Sequence, residues 1–218
     1  MINNQVSNNI EVIPFYTNRK YAKTLIIIGV FHGDEPIGEL LIRRFIDKSG
    51  IDVELLKNNV LFIPCLNQSG RILNTRKNGN GVDLNRNFPC KNWVLIDKND
   101  DYYGGIEKAS EKEVKFLCEL IENNNIDFIL TIHQPYNIVN YDGPREETYK
   151  IAEEIAKITG LPICENIGYS TPGSFGTYAG IEKNIPTITL EWGESNDIYL
   201  NNVYYKQKGV FEYLLYKF

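Results

Sequence analysis

The sequence predicts an α/β fold with a mixed, mostly parallel β-sheet that carries helices on both of its faces. Short apolar segments rich in β-branched residues alternate along the chain with longer segments whose apolar residues recur at helical spacing. No repeat, low-complexity tract or linker interrupts this alternation over the 218 residues. Because single α/β domains often exceed about 200 residues, we expect one domain that spans residues 1–218.

The first part of the chain contains two predicted strands that flank a helix. Residues 24–31 (TLIIIGVF) are a short apolar run, which is typical of a buried strand. Pro36 favours the first turn of a helix, and the apolar residues of segment 36–48 fall on one helical face. Residues 60–66 (VLFIPCL) predict a second buried strand, and a polar loop rich in Asn and Gly follows at residues 67–89.

The second part of the chain continues the alternation with further helices and strands. Apolar residues at helical spacing predict helices at residues 110–123, 146–159 and 203–216, and a short helix at residues 176–183. Apolar runs predict strands at residues 126–132 and 185–190, which lead directly into His133 and Glu191.

Polar residues follow the ends of the predicted strands. His32, Asn67, His133 and Glu191 each come just after such a strand. Open α/β sheets bind ligands beyond the carboxyl ends of their strands. We therefore expect these four residues to lie at one edge of the sheet and to form part of a functional site.

The chain contains only two histidines, His32 and His133, and both are candidate metal ligands. Glu35 lies three residues after His32, across the turn into the helix, and can reach the same ion. Two histidines and one glutamate that leave one coordination position open are a known catalytic zinc arrangement. The spacing alone is a weak signal, because a histidine there is more often structural and Glu35 can simply stabilise the helix N-terminus.

Three further residues carry chemistry that an open metal site needs. Glu191 at the end of an apolar strand predicts either a surface carboxylate or a general base that takes a proton from water. The loop at residues 75–89 (TRKNGNGVDLNRNFP) carries Arg76 and Arg86. Arginine binds carboxylates through its planar fork and stabilises negative charge on a carbonyl oxygen, although scattered arginines also occur in solvated loops.

Taken together, these segments resemble the zinc metallocarboxypeptidases of the carboxypeptidase A type. The resemblance runs in order from about residue 24 to 193 and rests on five segments: residues 32–35 (HGDE), 76–88, 131–133 (TIH), 169–174 and 189–191 (TLE). Within that family, the segments TRKNGNGVDLNRNFP and TPGSFGTYAG resemble the short bacterial branch of murein peptide amidases. The resemblance implies a zinc carboxypeptidase-like catalytic domain over residues 1–218.

The resemblance also implies a role for each candidate residue. It implies one Zn²⁺ per chain, with the ligands His32, Glu35 and His133. It implies that Asp83 orients the first histidine, that Glu191 is the catalytic base and acid, and that Arg76 polarises the scissile carbonyl. It also implies that Asn85 and Arg86 bind the terminal carboxylate of the substrate and that Tyr169 covers the bound substrate.

The implied activity is hydrolysis of a C-terminal peptide bond in a small peptide with a free carboxylate. For the murein peptide amidase branch, the substrate is a cell-wall peptide cleaved between γ-D-glutamate and diaminopimelate. One alternative is an N-acyl amino acid deacylase of the aspartoacylase or succinylglutamate desuccinylase type, whose members share a similar H-G-x-E start and a D-L-N-R-x-F segment. A second alternative is a catalytically inactive relative that binds peptides.

Composition limits the remaining partners and the location. The formal net charge of −5 argues against a nucleic-acid or anionic-membrane partner. No segment reaches the roughly 18 apolar residues that a membrane span requires. Residues 1–11 are polar and do not resemble a signal peptide, so a cytoplasmic location is expected.

Overall fold

A computed structural model describes residues 10–193 and 197–218 of the chain. Among these residues, seven strands form one sheet in the order β1-β3-β2-β4-β7-β5-β6. The strands are β1 (Ile13–Phe15), β2 (Thr24–Gly29), β3 (Asn59–Ile63), β4 (Phe128–His133), β5 (Ile138–Asp142), β6 (Ile163–Cys164) and β7 (Thr187–Glu191). The α-helices are α1 (Ile37–Ser49), α2 (Gln68–Leu73), α3 (Lys112–Glu122), α4 (Arg145–Thr159) and α5 (Asp197–Tyr216). A 3₁₀ helix (Leu84–Arg86) and a π-helix (Gly176–Glu182) complete the elements.

The centre of the sheet is parallel. β2 pairs in parallel with β3 on one side and with β4 on the other, and β4 pairs in parallel with β7. β1 runs antiparallel to β3, and β5 runs antiparallel to β7 but parallel to β6. The predicted mixed, mostly parallel sheet is therefore confirmed.

Helices cover both faces of the sheet. Side chains of β2 alternate between the two faces, as the pleat of a strand requires. Leu25 and Ile27 pack in one core with side chains of α1, α4 and α5, whereas Ile26 and Ile28 pack in a second core with α3 and the π-helix. The sheet is therefore buried on both sides, which explains why its central strands are continuous apolar runs.

The helix and strand boundaries follow local chemistry. α1 and α4 end at Gly50 and Gly160, which adopt the left-handed conformation that glycine favours at helix C-termini. β2 ends at Gly29, two residues before the predicted limit, because Val30 has a positive φ of 56° and turns the chain out of the sheet. The predicted strand at residues 60–66 ends at Ile63, just before Pro64, which lacks the N–H that continued pairing needs.

Several elements were missed in the sequence analysis. The segment predicted as a polar loop at residues 67–89 contains α2 and the 3₁₀ helix. Asn67 starts α2 by accepting a hydrogen bond from the Gly70 backbone N–H at 2.9 Å. The strands β1 and β6 were also missed because they are short, and β5 was missed because polar residues alternate with its apolar ones. Helix α5 begins six residues before the predicted helix at 203–216. No helix in the described ranges is both long and apolar enough to cross a membrane.

Candidate active site

The two histidines and Glu35 converge at the carboxyl edge of the central strands. His133 is the last residue of β4, and Glu35 lies in the turn after β2, where its N–H donates to the His32 carbonyl at 3.1 Å. Nδ1 of His32 lies 2.7 Å from Oε1 of Glu35, and Nδ1 of His133 lies 2.8 Å from Oε2. The three ligand atoms all lie within 4.8 Å of one another. The side chains are only 4%, 12% and 4% exposed for His32, Glu35 and His133.

The electrostatics of this cluster fit a bound cation. Burial opposes a charged imidazole, but Glu35 and Asp83 outweigh burial and raise the pKa of His32 to about 9. His32 and His133 hold the pKa of Glu35 well below its usual range, although burial of the carboxylate acts in the opposite direction. Two imidazole nitrogens and one carboxylate are a donor set that zinc takes in catalytic sites. The residues present therefore fit a divalent metal such as zinc.

Asp83 holds the first histidine and Arg76 together. Its carboxylate is fully buried, and Oδ1 lies 3.3 Å from Nε2 of His32. Arg76 Nε donates to Oδ2 at 2.9 Å, and the Asn85 backbone N–H donates to Oδ1 at 2.9 Å. Burial would raise the pKa of Asp83, but His32, Arg76 and Arg86 hold it well below its usual range. Asp83 therefore stays ionised and fixes its three neighbours.

Glu191 lies beside the two histidines and has an unsatisfied oxygen. It is the last residue of β7, opposite His133 of β4 and Ile138 of β5 in the register of the sheet. The residue is 7% exposed, and its Oε2 has no hydrogen-bond partner among the described residues. Burial raises the pKa of Glu191, and the nearby histidines oppose that rise. A buried carboxylate with a free oxygen and a raised pKa is well suited to accept a proton.

The remaining predicted site residues line the same cleft, which has a volume of about 610 Å³ including the part open to solvent. Arg76, Asn85, Arg86 and Tyr169 line it together with the metal-site residues and Glu191. Asn85 accepts a hydrogen bond from the Phe175 backbone N–H at 2.8 Å, so its side-chain NH₂ group remains to donate into the cleft. Tyr169 is 39% exposed at the rim. Apart from Asn67, the structure therefore brings the predicted site residues to one place.

Asn67 differs from the other residues predicted at the sheet edge. Its side-chain oxygen caps α2, and its Nδ2 donates to the Phe31 carbonyl at 3.1 Å. The cleft is lined without it. The Asn67 side chain therefore stabilises the backbone of the turn after β2 and the start of α2.

Three residues that the sequence analysis did not single out line the cleft or lie beside it. The Tyr102 ring lies 5.3 Å from the Arg76 guanidinium, 5.2 Å from that of Arg86 and 6.1 Å from the Tyr169 ring. Tyr102 comes from an irregular loop, where no sequence period marks it. Asn140 and Asp142 also line the cleft, and the alternation of residues 138–142 (IVNYD) was a strand signal that could have revealed them.

Comparison with known proteins places this site in a family. The model of the zinc carboxypeptidase family matches residues 5–216. Murein peptide amidase A of Escherichia coli K12 is 31% identical over 179 residues, which cover 77% of this chain and 70% of that protein. Gamma-D-glutamyl-L-diamino acid endopeptidase 1 of Lysinibacillus sphaericus is 25% identical over 179 residues, which cover 72% of this chain and 42% of that protein.

A solved structure agrees with these sequence matches. The crystal structure of murein-tripeptide amidase from Escherichia coli O157 superposes with a TM-score of 0.73 and 26% identity, covering 89% of this chain and 85% of that one. The match over residues 5–216 and the 31% identical relative lead to one conclusion. The chain belongs to the zinc carboxypeptidase family and is a zinc metallopeptidase.

Proposed function

We propose that residues 1–218 form one catalytic domain that removes the C-terminal residue of a small peptide. We further propose that the peptide is a cell-wall peptide, cleaved between γ-D-glutamate and diaminopimelate. The observation that carries the proposal is the presence of a three-ligand cluster, a buried Glu191 with one free oxygen, and two arginines in a single cleft. The cell-wall substrate is supported by the relatives, which include murein peptide amidases and a γ-D-glutamyl-L-diamino acid endopeptidase.

The proposed mechanism assigns the metal to His32, Glu35 and His133. Zinc held by these residues supplies Lewis-acid chemistry at the scissile carbonyl. Glu191 takes a proton from the attacking water on its free Oε2 and passes it to the nitrogen of the leaving amine. One residue therefore acts first as the base and then as the acid.

The arginines act on the two negative charges of the reacting peptide. Arg76, held in place by Asp83, is oriented to stabilise the charge that develops on the carbonyl oxygen. Arg86 and the NH₂ group of Asn85 bind the terminal carboxylate, which favours the release of a terminal residue over internal cleavage. Tyr169 at the rim covers the bound peptide. Each of these roles is a proposal that the contacts of the side chain support.

An assay with three kinds of substrate tests the proposed function. The zinc-loaded chain is incubated with three substrates: L-Ala-γ-D-Glu-diaminopimelate, an N-blocked dipeptide with an ordinary α-peptide bond and a free carboxylate, and N-acyl amino acids. The products are identified by mass spectrometry. We expect diaminopimelate to be released, and we expect Glu191→Gln to keep its zinc while its turnover falls at least about 100-fold. Turnover of N-acyl amino acids alone would establish the deacylase alternative instead.

Failure of every substrate with fully zinc-loaded protein would indicate the inactive peptide-binding alternative. Near-normal turnover by Glu191→Gln would refute the role proposed for that carboxylate. The cytoplasmic location expected from the sequence stays a prediction, which fractionation of cells tests.

A further inference from the structure

Arg86 is a buried arginine that has no ion pair in the described part of the chain. The residue is 3% exposed, and the one hydrogen bond of its guanidinium there runs from Nη1 to the Asn85 carbonyl at 2.6 Å. A guanidinium carries several N–H donors, so most of those of Arg86 remain for a ligand in the cleft that it lines. Because burying a charge without a partner costs free energy, a contact that leaves these donors free must offset the cost.

The Tyr102 ring supplies such a contact to both arginines of the cleft. Its centroid lies 5.2 Å from Cζ of Arg86 and 5.3 Å from Cζ of Arg76. At such distances, the negative face of an aromatic ring attracts a guanidinium group. The ring neutralises no charge, whereas a carboxylate at this position would pair with the guanidinium and compete with the carboxylate of a substrate.

The backbone fixes Tyr102 beside the loop that carries the arginines. The next residue, Tyr103, is buried, and its carbonyl accepts a hydrogen bond from the Asp83 N–H at 2.8 Å. A Cβ added at Gly104 would overlap with the Arg86 carbonyl, so the two segments are in backbone contact. The ring is therefore anchored relative to both arginines, although it is 42% exposed.

The two arginines are held differently on their other sides. Arg76 donates from Nε to the buried Asp83 carboxylate at 2.9 Å, whereas Arg86 contacts only a carbonyl there. Tyr102 contacts both guanidinium groups. The spacing between the group proposed for the carbonyl oxygen and the group proposed for the terminal carboxylate therefore depends on this ring.

We propose that Tyr102 is a positioning residue that holds Arg76 and Arg86 at the spacing of one terminal residue and leaves their charges to the substrate. The inference rests on the proposed function and adds a residue that acts on the substrate through the two arginines. A peptide without a free terminal carboxylate gains nothing from the placement of Arg86. The ring therefore contributes to the preference for a terminal residue over internal cleavage.

Two replacements of Tyr102 test the contact between the ring and the guanidinium groups. The zinc-loaded full chain, Tyr102→Phe and Tyr102→Leu are assayed on L-Ala-γ-D-Glu-diaminopimelate. Phenylalanine keeps the aromatic face, whereas leucine keeps apolar bulk without π electrons. One cation–π contact at an exposed site changes an equilibrium constant about two- to fivefold.

The two kinetic constants report on the two arginines. Arg86 binds the carboxylate before and during the reaction, whereas Arg76 acts on the charge that develops in the transition state. We therefore expect Tyr102→Leu to raise KM about two- to fivefold and to lower kcat by a similar factor. Tyr102→Phe should keep both constants.

A second peptide separates positioning from a general structural role. In this peptide, a carboxamide replaces the carboxylate next to the scissile bond, so Arg86 loses the charge that it would bind. Because hydrogen bonds to charged groups are strong, KM of the unaltered chain should be at least about tenfold lower for the free carboxylate. In Tyr102→Leu this KM ratio should shrink about two- to fivefold, whereas a mere loss of packing would affect both peptides alike.

Tyr21→Leu is the matched control. Tyr21 is 89% exposed and precedes β2, whose opposite end leads to His32. Its replacement removes a tyrosine ring far from the cleft, so its kinetic constants should equal those of the unaltered chain. Zinc content and thermal unfolding of each variant show that changed constants do not come from a misfolded protein.

The outcomes separate this inference from the proposed function. Unchanged constants in Tyr102→Leu, or a KM ratio that does not shrink, overturn the inference and leave the peptidase activity standing. A Tyr102→Phe variant as impaired as Tyr102→Leu also overturns it, because the hydroxyl group and not the ring face would then be the cause.

Turnover of neither peptide by the unaltered, zinc-loaded chain contradicts the proposed function. Calorimetric titration with the same two peptides then decides on Tyr102. Tighter binding of the free carboxylate that weakens in Tyr102→Leu and persists in Tyr102→Phe supports the inference, and any other result overturns it.

Discussion

Asp83 joins the metal cluster to the substrate-binding groups through one carboxylate. Its two oxygens contact the His32 ring, the Arg76 side chain and the backbone N–H of Asn85, two residues after it. The carboxylate is fully buried and ionised, so these contacts are charge-assisted and shielded from solvent. Asp83 therefore positions His32, which is a proposed metal ligand, and Arg76, which is proposed to stabilise the carbonyl oxygen. It also positions the 3₁₀ helix that carries Asn85 and Arg86.

Asp142 of β5, a carboxylate on the wall of the cleft whose pKa is raised by burial, leads to a prediction about stability. Its pKa in the folded chain is about 6, against an ordinary value of 3.8, so the folded state prefers the neutral carboxyl group. A raised pKa in the folded state stabilises the protein at low pH, and this contribution is lost as the pH rises through about 6. Between pH 4 and 7.5, the unaltered chain should lose up to about 3 kcal/mol more stability than Asp142→Asn.

Chemical denaturation of both proteins over this pH range measures the effect. The difference between the two curves cancels the titration of all other groups, including the histidines of the metal site. A difference in the free energy of unfolding that stays constant from pH 4 to 7.5 would show that burial does not raise the pKa of Asp142.

At the scale of elements, the sequence analysis predicted the strands and helices whose apolar pattern is strong. The strands that lead to His133 and Glu191 were predicted because both of their faces are buried, which gives continuous apolar runs. β5 was missed because one of its faces lines the cleft and carries the polar residues Asn140 and Asp142. α2 was missed because its stability comes from the Asn67 cap and from packing, and its six residues are too few for a helical period.

The turn after β2 and helix α2 are in close backbone contact. A Cβ added at Gly33 would overlap with the backbone of Gly70 and Arg71 in α2. Gly33→Ala should therefore push this turn away from α2 and shift His32 and Glu35, which flank it in the chain. Because overpacking a rigid contact costs about 1–3 kcal/mol, we expect reduced thermal stability together with weaker zinc binding.

Thermal unfolding and competition with a zinc chelator measure these two effects. Ile72→Ala provides a comparison, since Ile72 is an exposed residue of α2 and its replacement adds no atom against the turn. Unaltered stability and zinc affinity in Gly33→Ala would mean that the turn and α2 separate easily.

For the whole molecule, the metal cluster connects segments that are distant in the chain. His32 and Glu35 follow β2, and His133 ends β4, so the cluster exists only when the sheet is assembled. The sequence predicted this meeting because parallel strands bring their carboxyl ends to the same edge. It could not predict Tyr102, whose position beside Arg76 and Arg86 depends on the path of an irregular loop.

Zinc should accordingly stabilise the whole fold. A ligand that binds only the folded state at 1,000 times its dissociation constant adds about 4 kcal/mol to the free energy of unfolding. We expect chelation to lower the melting temperature by several degrees and re-addition of zinc to restore it. In His133→Ala, which lacks one of the three ligands, zinc should have little effect, and an equal response of both proteins would place the metal elsewhere.

The order of the strands in the sheet has a consequence for synthesis on the ribosome. β7 is the last strand in the sequence, yet it lies between β4 and β5 and pairs with both. Until residues 187–191 have emerged, β4 and β5 each have an open edge that can pair with another chain. The last strand to be synthesised therefore inserts into the middle of the sheet, and Glu191 reaches the two histidines only at that stage. We expect hydrolysis to begin only when nearly all of the polypeptide has been made, so that an incomplete chain stays inert.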